Sequence, residues 1–381
     1  MSVSIMLLQA SVRWLEFLGL TTLLGGLAFR LLVVRPTLLS REEFDSFERR
    51  RRIVEAVSIV LLVLTTIGDL ILRTLTMSGP AAGLGVALPL VLQKTHYGSV
   101  WISRMGLVGL LATAWLLRRP GPLRSAWSTW ASLLGAALIA LTTTLSGHAA
   151  DWGDVTLPVL MDWLHLLAIS TWTGGLFTLG FVLHHALLSP VKEDMHHRLA
   201  LTAKRFSRMA AYCAAGFFAP GFYNAWIQVT SLSPLFTTPY GRTLLVKLSL
   251  VLLIVMIAAL NRYYFVSLLG GRSGAPDRLI VRTIGRFAGT LLAGKAGKDG
   301  EKIRQQFFLS VRLEWLVAVG ALACTALLTQ LPPARHIRSH QHREEHALHQ
   351  PTQGPVTAKR VAGGEGVLRE MNSSLFLGKP Q

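Results

Sequence analysis

Asp162-Trp163-Leu164-His165-Leu166-Leu167-Ala168-Ile169-Ser170-Thr171-Trp172-Thr173-Gly174-Gly175-Leu176-Phe177 is almost wholly apolar, yet it opens with a carboxylate and an imidazole three residues apart. On a helix those two side chains share a face. In lipid an ionisable pair inside an apolar helix is costly, so it must address a cavity, a partner or a ligand. At the other end Gly174-Gly175 removes side-chain bulk and admits a second helix at close range. The segment reads as a transmembrane helix with a polar mouth.

The surrounding composition agrees. The chain has 381 residues, 51% of them hydrophobic and only 15% charged, where a soluble domain carries about 25% charged residues. Mean hydropathy is +0.45. The 38 Lys and Arg against 20 Asp and Glu would suggest nucleic acid in a soluble protein. Here the basic residues fall between apolar segments, which is a topology signal, and no nucleic-acid partner is expected. Cys213 and Cys324 both sit inside apolar segments and give neither a disulfide framework nor a CxxC metal site. No Lys or Arg precedes Arg13 and the first apolar run continues to Val34, too long for the core of a cleavable signal.

Eight stretches have the length a bilayer core requires, at about 6–34, 53–72, 100–117, 127–145, 159–183, 207–229, 243–260 and 309–331. The apolar piece 81–92 is too short and too rich in Gly and Pro to cross, and reads as interfacial or re-entrant. Lys and Arg number six, three, five and nine in connections 35–52, 118–126, 184–208 and 261–308, but two, none and one in 73–99, 146–158 and 230–242. The positive-inside rule puts the first set in the cytoplasm and both termini outside, in the periplasm of a Gram-negative cell. The expected fold is all-α: a polytopic inner-membrane protein of eight transmembrane helices. The tail after Pro332-Pro333 is polar and expected to be disordered and periplasmic.

The chain also repeats itself. Trp14-Leu15-Glu16 leads to Gly25-Gly26-Leu27 as Trp163-Leu164-His165 leads to Gly174-Gly175-Leu176. Arg52 precedes Gly68 as Arg205 precedes Gly221, and Tyr97-Gly98 with Arg104 matches Tyr240-Gly241 with Lys247. In register, these matches imply two parallel four-helix units, 1–145 and 146–331, followed by the tail 332–381. Glu16 then occupies the place of His165.

His165, Asp162 and Met161 form the leading candidate site. Imidazole and thioether suit copper, as Cu(II) on nitrogen and oxygen or Cu(I) on sulfur and nitrogen. The carboxylate would ligate or orient the imidazole. A satisfied interhelical hydrogen bond is the plainer alternative. His148, at the outer end of the fourth span, is a further ligand or entry residue, and His96 a weaker one. Glu16 and Asp69 offer a deeper acidic or proton path, although Arg13, three residues from Glu16, makes a structural ion pair the simpler reading. Arg104 and Lys247 are expected to snorkel or to pair with carboxylates across the bundle. In the tail, His336, His340, His342, His346 and His349 make a loose metal-scavenging tract. There is no HExxH, GxSxG or Walker motif, so neither an enzyme nor an ATP-driven pump is expected.

Asp162-Trp163-Leu164-His165-Leu166-Leu167-Ala168 with Gly174-Gly175, Ser146-Gly147-His148-Ala149, Arg205-Phe206-Ser207-Arg208 and Gly221-Phe222-Tyr223-Asn224-Ala225-Trp226 together resemble the copper resistance protein D family of bacterial inner-membrane proteins. The likeness continues in Thr238-Pro239-Tyr240-Gly241-Arg242, Leu244-Leu245-Val246-Lys247, Ala259-Leu260-Asn261-Arg262, Ser310-Val311-Arg312-Leu313-Glu314 and Leu327-Leu328-Thr329-Gln330-Leu331-Pro332-Pro333. It runs over about 1–335 and implies eight helices and a part in copper uptake or resistance beside a periplasmic copper-binding protein. Family members can carry that periplasmic domain fused to the chain; with none in this sequence, a separate partner is expected. The reading is copper import with the ion bound at His148, Asp162 and His165. One rival is a haem-binding redox protein using His165. The other is a non-transporting protein that docks a periplasmic copper chaperone.

Overall fold

The computed structural model describes residues 3–78, 83–117, 122–187, 195–229, 233–269 and 300–332. Nearly all of them are helical, and no strand occurs among the described residues. The helices are α1 (Val3–Leu32), α2 (Arg41–Ser78), α3 (Leu84–Lys94), α4 (His96–Leu116) and α5 (Pro122–Leu145). They continue as α6 (Leu157–Phe177), α7 (Met195–Val229), α8 (Pro239–Leu260) and α9 (Gly300–Leu328). π-helical turns Thr178–Leu183 and Asn261–Phe265 prolong α6 and α8.

Among the described residues seven helices are long and apolar enough to cross a membrane: α1, α2, α4, α5, α6, α8 and α9. The protein is a multi-pass membrane protein. The remaining expected span, 207–229, lies inside α7, a helix of 35 residues whose apolar run is broken by Arg208, Pro220, Tyr223 and Asn224. The segment expected to be too short to cross is α3, an 11-residue helix. Ile53, Val57, Val60 and Leu64 stand exposed at helical spacing on α2, as do Leu248, Leu252 and Met256 on α8. In water such stripes would be liabilities; in a bilayer they face acyl chains.

Local rules set the helix starts. Ser40 and Glu43 form a capping box: Ser40 Oγ accepts from the Glu43 amide at 3.2 Å, and Glu43 Oε2 accepts from the Ser40 amide at 2.7 Å. Thr95 caps α4 by accepting from the Gly98 amide, and Thr238 caps α8 by accepting from the Gly241 amide, both at 3.0 Å.

The centre of the bundle is the crossing of α1 and α6. A Cβ built on Gly25 would lie 2.4 Å from Cα of Gly174, and one built on Gly174 would lie 1.8 Å from the Thr21 carbonyl oxygen. The two backbones touch, which only glycine permits here. Two tryptophans brace this pair from outside. Trp14 of α1 donates to the Val319 carbonyl of α9 at 3.2 Å, and Trp163 of α6 donates to the Ala137 carbonyl of α5 at 2.8 Å.

Candidate functional site

The expected site residues fall in two polar clusters of the bundle. The first is built on Glu16, which is fully buried. Arg13 Nη1 donates to Glu16 Oε2 at 2.8 Å, Arg104 Nη1 to Oε1 at 3.1 Å and Thr143 Oγ1 to Oε1 at 3.0 Å. Arg104 spends its other N–H groups on Thr142 Oγ1 at 3.1 Å, the Thr142 carbonyl at 2.8 Å and Ser146 Oγ at 2.5 Å. Beside it Asp69 accepts from the Tyr97 hydroxyl at 2.7 Å and pairs with Arg73 at 3.3 Å. Arg73 also donates to the Ser146 carbonyl at 3.2 Å. Charges and hydrogen bonds are matched across α1, α2, α4 and α5, as burial of charge requires. Glu16 and Asp69, expected as an acidic path, are thus both held in ion pairs.

The second cluster is open by comparison. His165 and Asp162 on α6 are partly exposed. His165 Nδ1 lies 2.9 Å from the Phe217 carbonyl of α7. A carbonyl can only accept, so Nδ1 carries the proton and Nε2 keeps its lone pair. Pro220 stands inside α7 next to this turn. It cannot donate to the carbonyl four residues back and it crowds the preceding turn, which loosens the helix where the imidazole docks. The ring also rests on Gly221, where an added Cβ would lie 2.8 Å from Cε1 and 3.0 Å from Nδ1. Asp162 accepts from Asn224 Nδ2 at 3.2 Å, and the charge of Lys247 on α8 acts on it. Lys247 also neighbours Cys324 of α9. Below these groups Lys247 and Thr325 line a cavity of about 40 Å³ closed by Trp172 and Phe217.

Met161 is partly buried at the start of α6, one turn before His165. His96 is exposed and sits 2.9 Å from Asp154. The backbone of His148 lies in the helical turn His148–Trp152; its side chain, and the tail with His336, His340, His342, His346 and His349, lie outside the described residues. Among the described residues no three His, Cys, Asp or Glu side chains converge on a position suited to one metal ion. The sequence reading gave no role to a buried pair on the other side of Trp172: Asn261 Nδ2 donates to Glu314 Oε2 at 2.7 Å. The signal was present, because Glu314 is an ionisable residue within an apolar helix.

Fold and clusters define a multi-pass helical membrane protein with ionisable side chains gathered inside the bundle. Residues 200–328 match the family model for copper resistance protein D, and residues 4–157 match that for the copper resistance protein D-like N-terminal domain. The chain belongs to the copper resistance protein D family. It is 27% identical to copper transport protein CutJ of Bacillus subtilis, over 75% of this chain and 46% of that protein, so it spans less than half of that relative's length. It is 25% identical to inner membrane protein YebZ of Escherichia coli, over 63% of this chain and 70% of the relative. It is 30% identical to copper resistance protein D of Pseudomonas syringae pv. tomato, over 56% of this chain and 68% of the relative. No solved structure matches the chain significantly.

Proposed function

We propose that the protein is a non-enzymatic carrier that brings copper inward across the bacterial inner membrane, with His165 as a ligand at the outer mouth. The observation that carries this reading is the hydrogen bond from His165 Nδ1 to the Phe217 carbonyl. Metal-binding imidazoles characteristically donate their other N–H to such an acceptor, which fixes the ring and presents the free nitrogen. Met161 supplies a soft thioether one turn away, suited to Cu(I), and Asp162 supplies negative charge at the entrance. The names of relatives point the same way: one is a copper transport protein and another a copper resistance protein. A further relative is an inner membrane protein.

The architecture we infer is eight crossings, with α7 as the sixth, in two parallel four-helix units related by a two-fold axis along the membrane normal. Three features support it. Matching glycine pairs meet at the α1–α6 crossing. Matching threonines cap α4 and α8. The tryptophan bonds are reciprocal, since Ala137 and Val319 each lie ten residues past the start of spans 127–145 and 309–331. The charge asymmetry of the connections supports a periplasmic side for both termini. There a separate copper-binding protein would deliver the ion, with His148, His96 and the tail histidines gathering copper nearby. Haem is disfavoured by Glu16, which stands where a second axial histidine would be and is engaged by Arg13 and Arg104.

The test is copper accumulation in cells expressing variants. His165→Ala is expected to lower accumulation to that of cells lacking the protein. Gly221→Ala leaves every donor atom in place but forces the ring off Phe217, so copper should be taken up with roughly 10-fold weaker affinity or worse, as for loss of an outer-shell partner. Wild-type uptake by His165→Ala would remove this residue from the route.

A further inference from the structure

Among the described residues the carboxylates Glu16, Asp69, Asp162 and Glu314 of the bundle are not equivalent. Glu16 pairs with two guanidiniums, Asp69 pairs with Arg73 and feels the charge of Arg13, and Asp162 feels the charge of Lys247. Glu314 is 2% exposed and pairs with no cation among the described residues. Arg312, on the same helix, donates to the Gly180 carbonyl and lies 3.0 Å from His184 Nδ1. A buried carboxylate without a counter-charge must be neutralised by a proton or by a cation.

The surroundings decide between these. Glu314 borders a cavity of about 320 Å³ between α6, α7, α8 and α9 that reaches from Trp172 to Arg262 and Tyr263. By the measure of about 10–15 Å³ per water the cavity has room for waters, with Glu314, Asn261, Ser207, Arg262 and Tyr263 as polar partners along it. No imidazole, thiol or thioether lines it, so it offers copper none of its preferred ligands. The groups directed at the carboxyl are donors: Asn261 Nδ2 at 2.7 Å and, beside it, the buried indole N–H of Trp172, which makes no hydrogen bond of ordinary length. Donors attract a carboxylate or a carboxylic carbonyl and repel a metal ion. The other ionisable residues lining the cavity are Arg262, which donates to the Ser207 carbonyl at 3.1 Å, and Tyr263. No other titratable side chain faces Glu314 from α6 or α7 among the described residues lining the cavity.

We propose that Glu314, held by Asn261 and reached by water through the cavity beside Arg262, is a proton-binding site that takes up and releases one proton. The Glu314 carboxylate gains H⁺ from cavity water to become the carboxylic acid, and returns it by the same route. Trp172 links this site to the outer cluster. It lines both cavities, and its ring stacks at 5.1 Å on Phe217, whose carbonyl holds His165. That this proton accompanies copper rests on the transport reading; that it binds here does not.

The experiment is infrared difference spectroscopy of the metal-free full chain in lipid nanodiscs, recorded against pH. A carboxylic C=O band should grow as pH falls and move when glutamate is labelled with ¹³C. It should vanish in Glu314→Gln and persist at a changed frequency in Glu314→Asp. The absence of a label-sensitive band in the wild type at every pH would overturn the proposal, a result that does not depend on the variants folding. A band retained in Glu314→Gln would also overturn it, as would copper bound to wild type, lost in Glu314→Gln, with no acid band. Because no copper is added in the infrared arm, failure of the copper reading leaves that result standing.

Discussion

Glu16→Ala is expected to be the most damaging single substitution of a charged residue in the protein. It leaves Arg13 and Arg104 buried, 2% and 1% exposed, without their shared carboxylate. Removing one partner of a buried ion pair costs about 3–5 kcal/mol, because the remaining charge stays desolvated. Here two guanidiniums lose their shared partner: Arg104 keeps its hydrogen bonds to Thr142 and Ser146, and Arg13 keeps the charge of Asp69 nearby. The measurement is the midpoint of thermal unfolding of the purified chain in detergent, read with the amount recovered from membranes. Both should fall sharply. Removing the charges together should cost less than the separate losses, so Glu16→Gln with Arg104→Met should be more stable than the sum of the single variants indicates. If Glu16→Ala unfolds at the wild-type temperature, the network is not a source of stability.

Gly174→Ala is the second large effect, and it is steric. The new Cβ would lie 1.8 Å from the Thr21 carbonyl oxygen and 2.9 Å from Cα of Gly25. Both are backbone atoms of α1, so no side chain can swing aside and the helices must separate. Overpacking of a core costs typically about 1–3 kcal/mol, and more where the backbone must move. The cost should appear as lost stability and, on the transport reading, as lost copper uptake, because α6 carries His165 about two and a half turns before the crossing. Gly26→Ala is the control. A Cβ there would meet only Thr178 Oγ1 at 3.6 Å, an ordinary contact, and it should behave as wild type. Equal stability of Gly174→Ala and Gly26→Ala would show that α1 and α6 do not cross at this point.

The glycines illustrate how far the sequence can be read. Two Gly-Gly pairs at matching places announced a close approach, but nothing local distinguished Gly25 and Gly174 from Gly26. Which glycine faces the other backbone depends on the rotation of each helix, and that is set by everything else packed on it. The ion pairs divide in the same way. Arg13 with Glu16 was legible because three residues on a helix bring two side chains to one face. Arg104 with Glu16 was open, since snorkelling and pairing across the bundle were equally compatible with its position. The partners are 88 residues apart and meet only because α1 and α4 share a neighbour in α5. Glu314 was visible as an ionisable residue in an apolar helix, but that it pairs with Asn261 and with no cation among the described residues is not displayed by any stretch of sequence.

By itself, then, the sequence determined the membrane class, the apolar stretches of the seven helices long enough to cross, and the too-short α3, and it singled out Asp162 and His165. All of these follow from hydropathy, chain length and spacing within a turn or two, which are properties of neighbouring residues. Only the tertiary structure decided that Glu16 is neutralised, that His165 is oriented by Phe217 and seated on Gly221, that Asp162 meets Asn224, and that Glu314 meets Asn261 beside a cavity and pairs with no cation among the described residues. Those are facts about which faces of distant helices meet. In a bilayer, where apolar surfaces are nearly interchangeable, the choice of faces falls to backbone contact at glycine and to the pairing of buried charges.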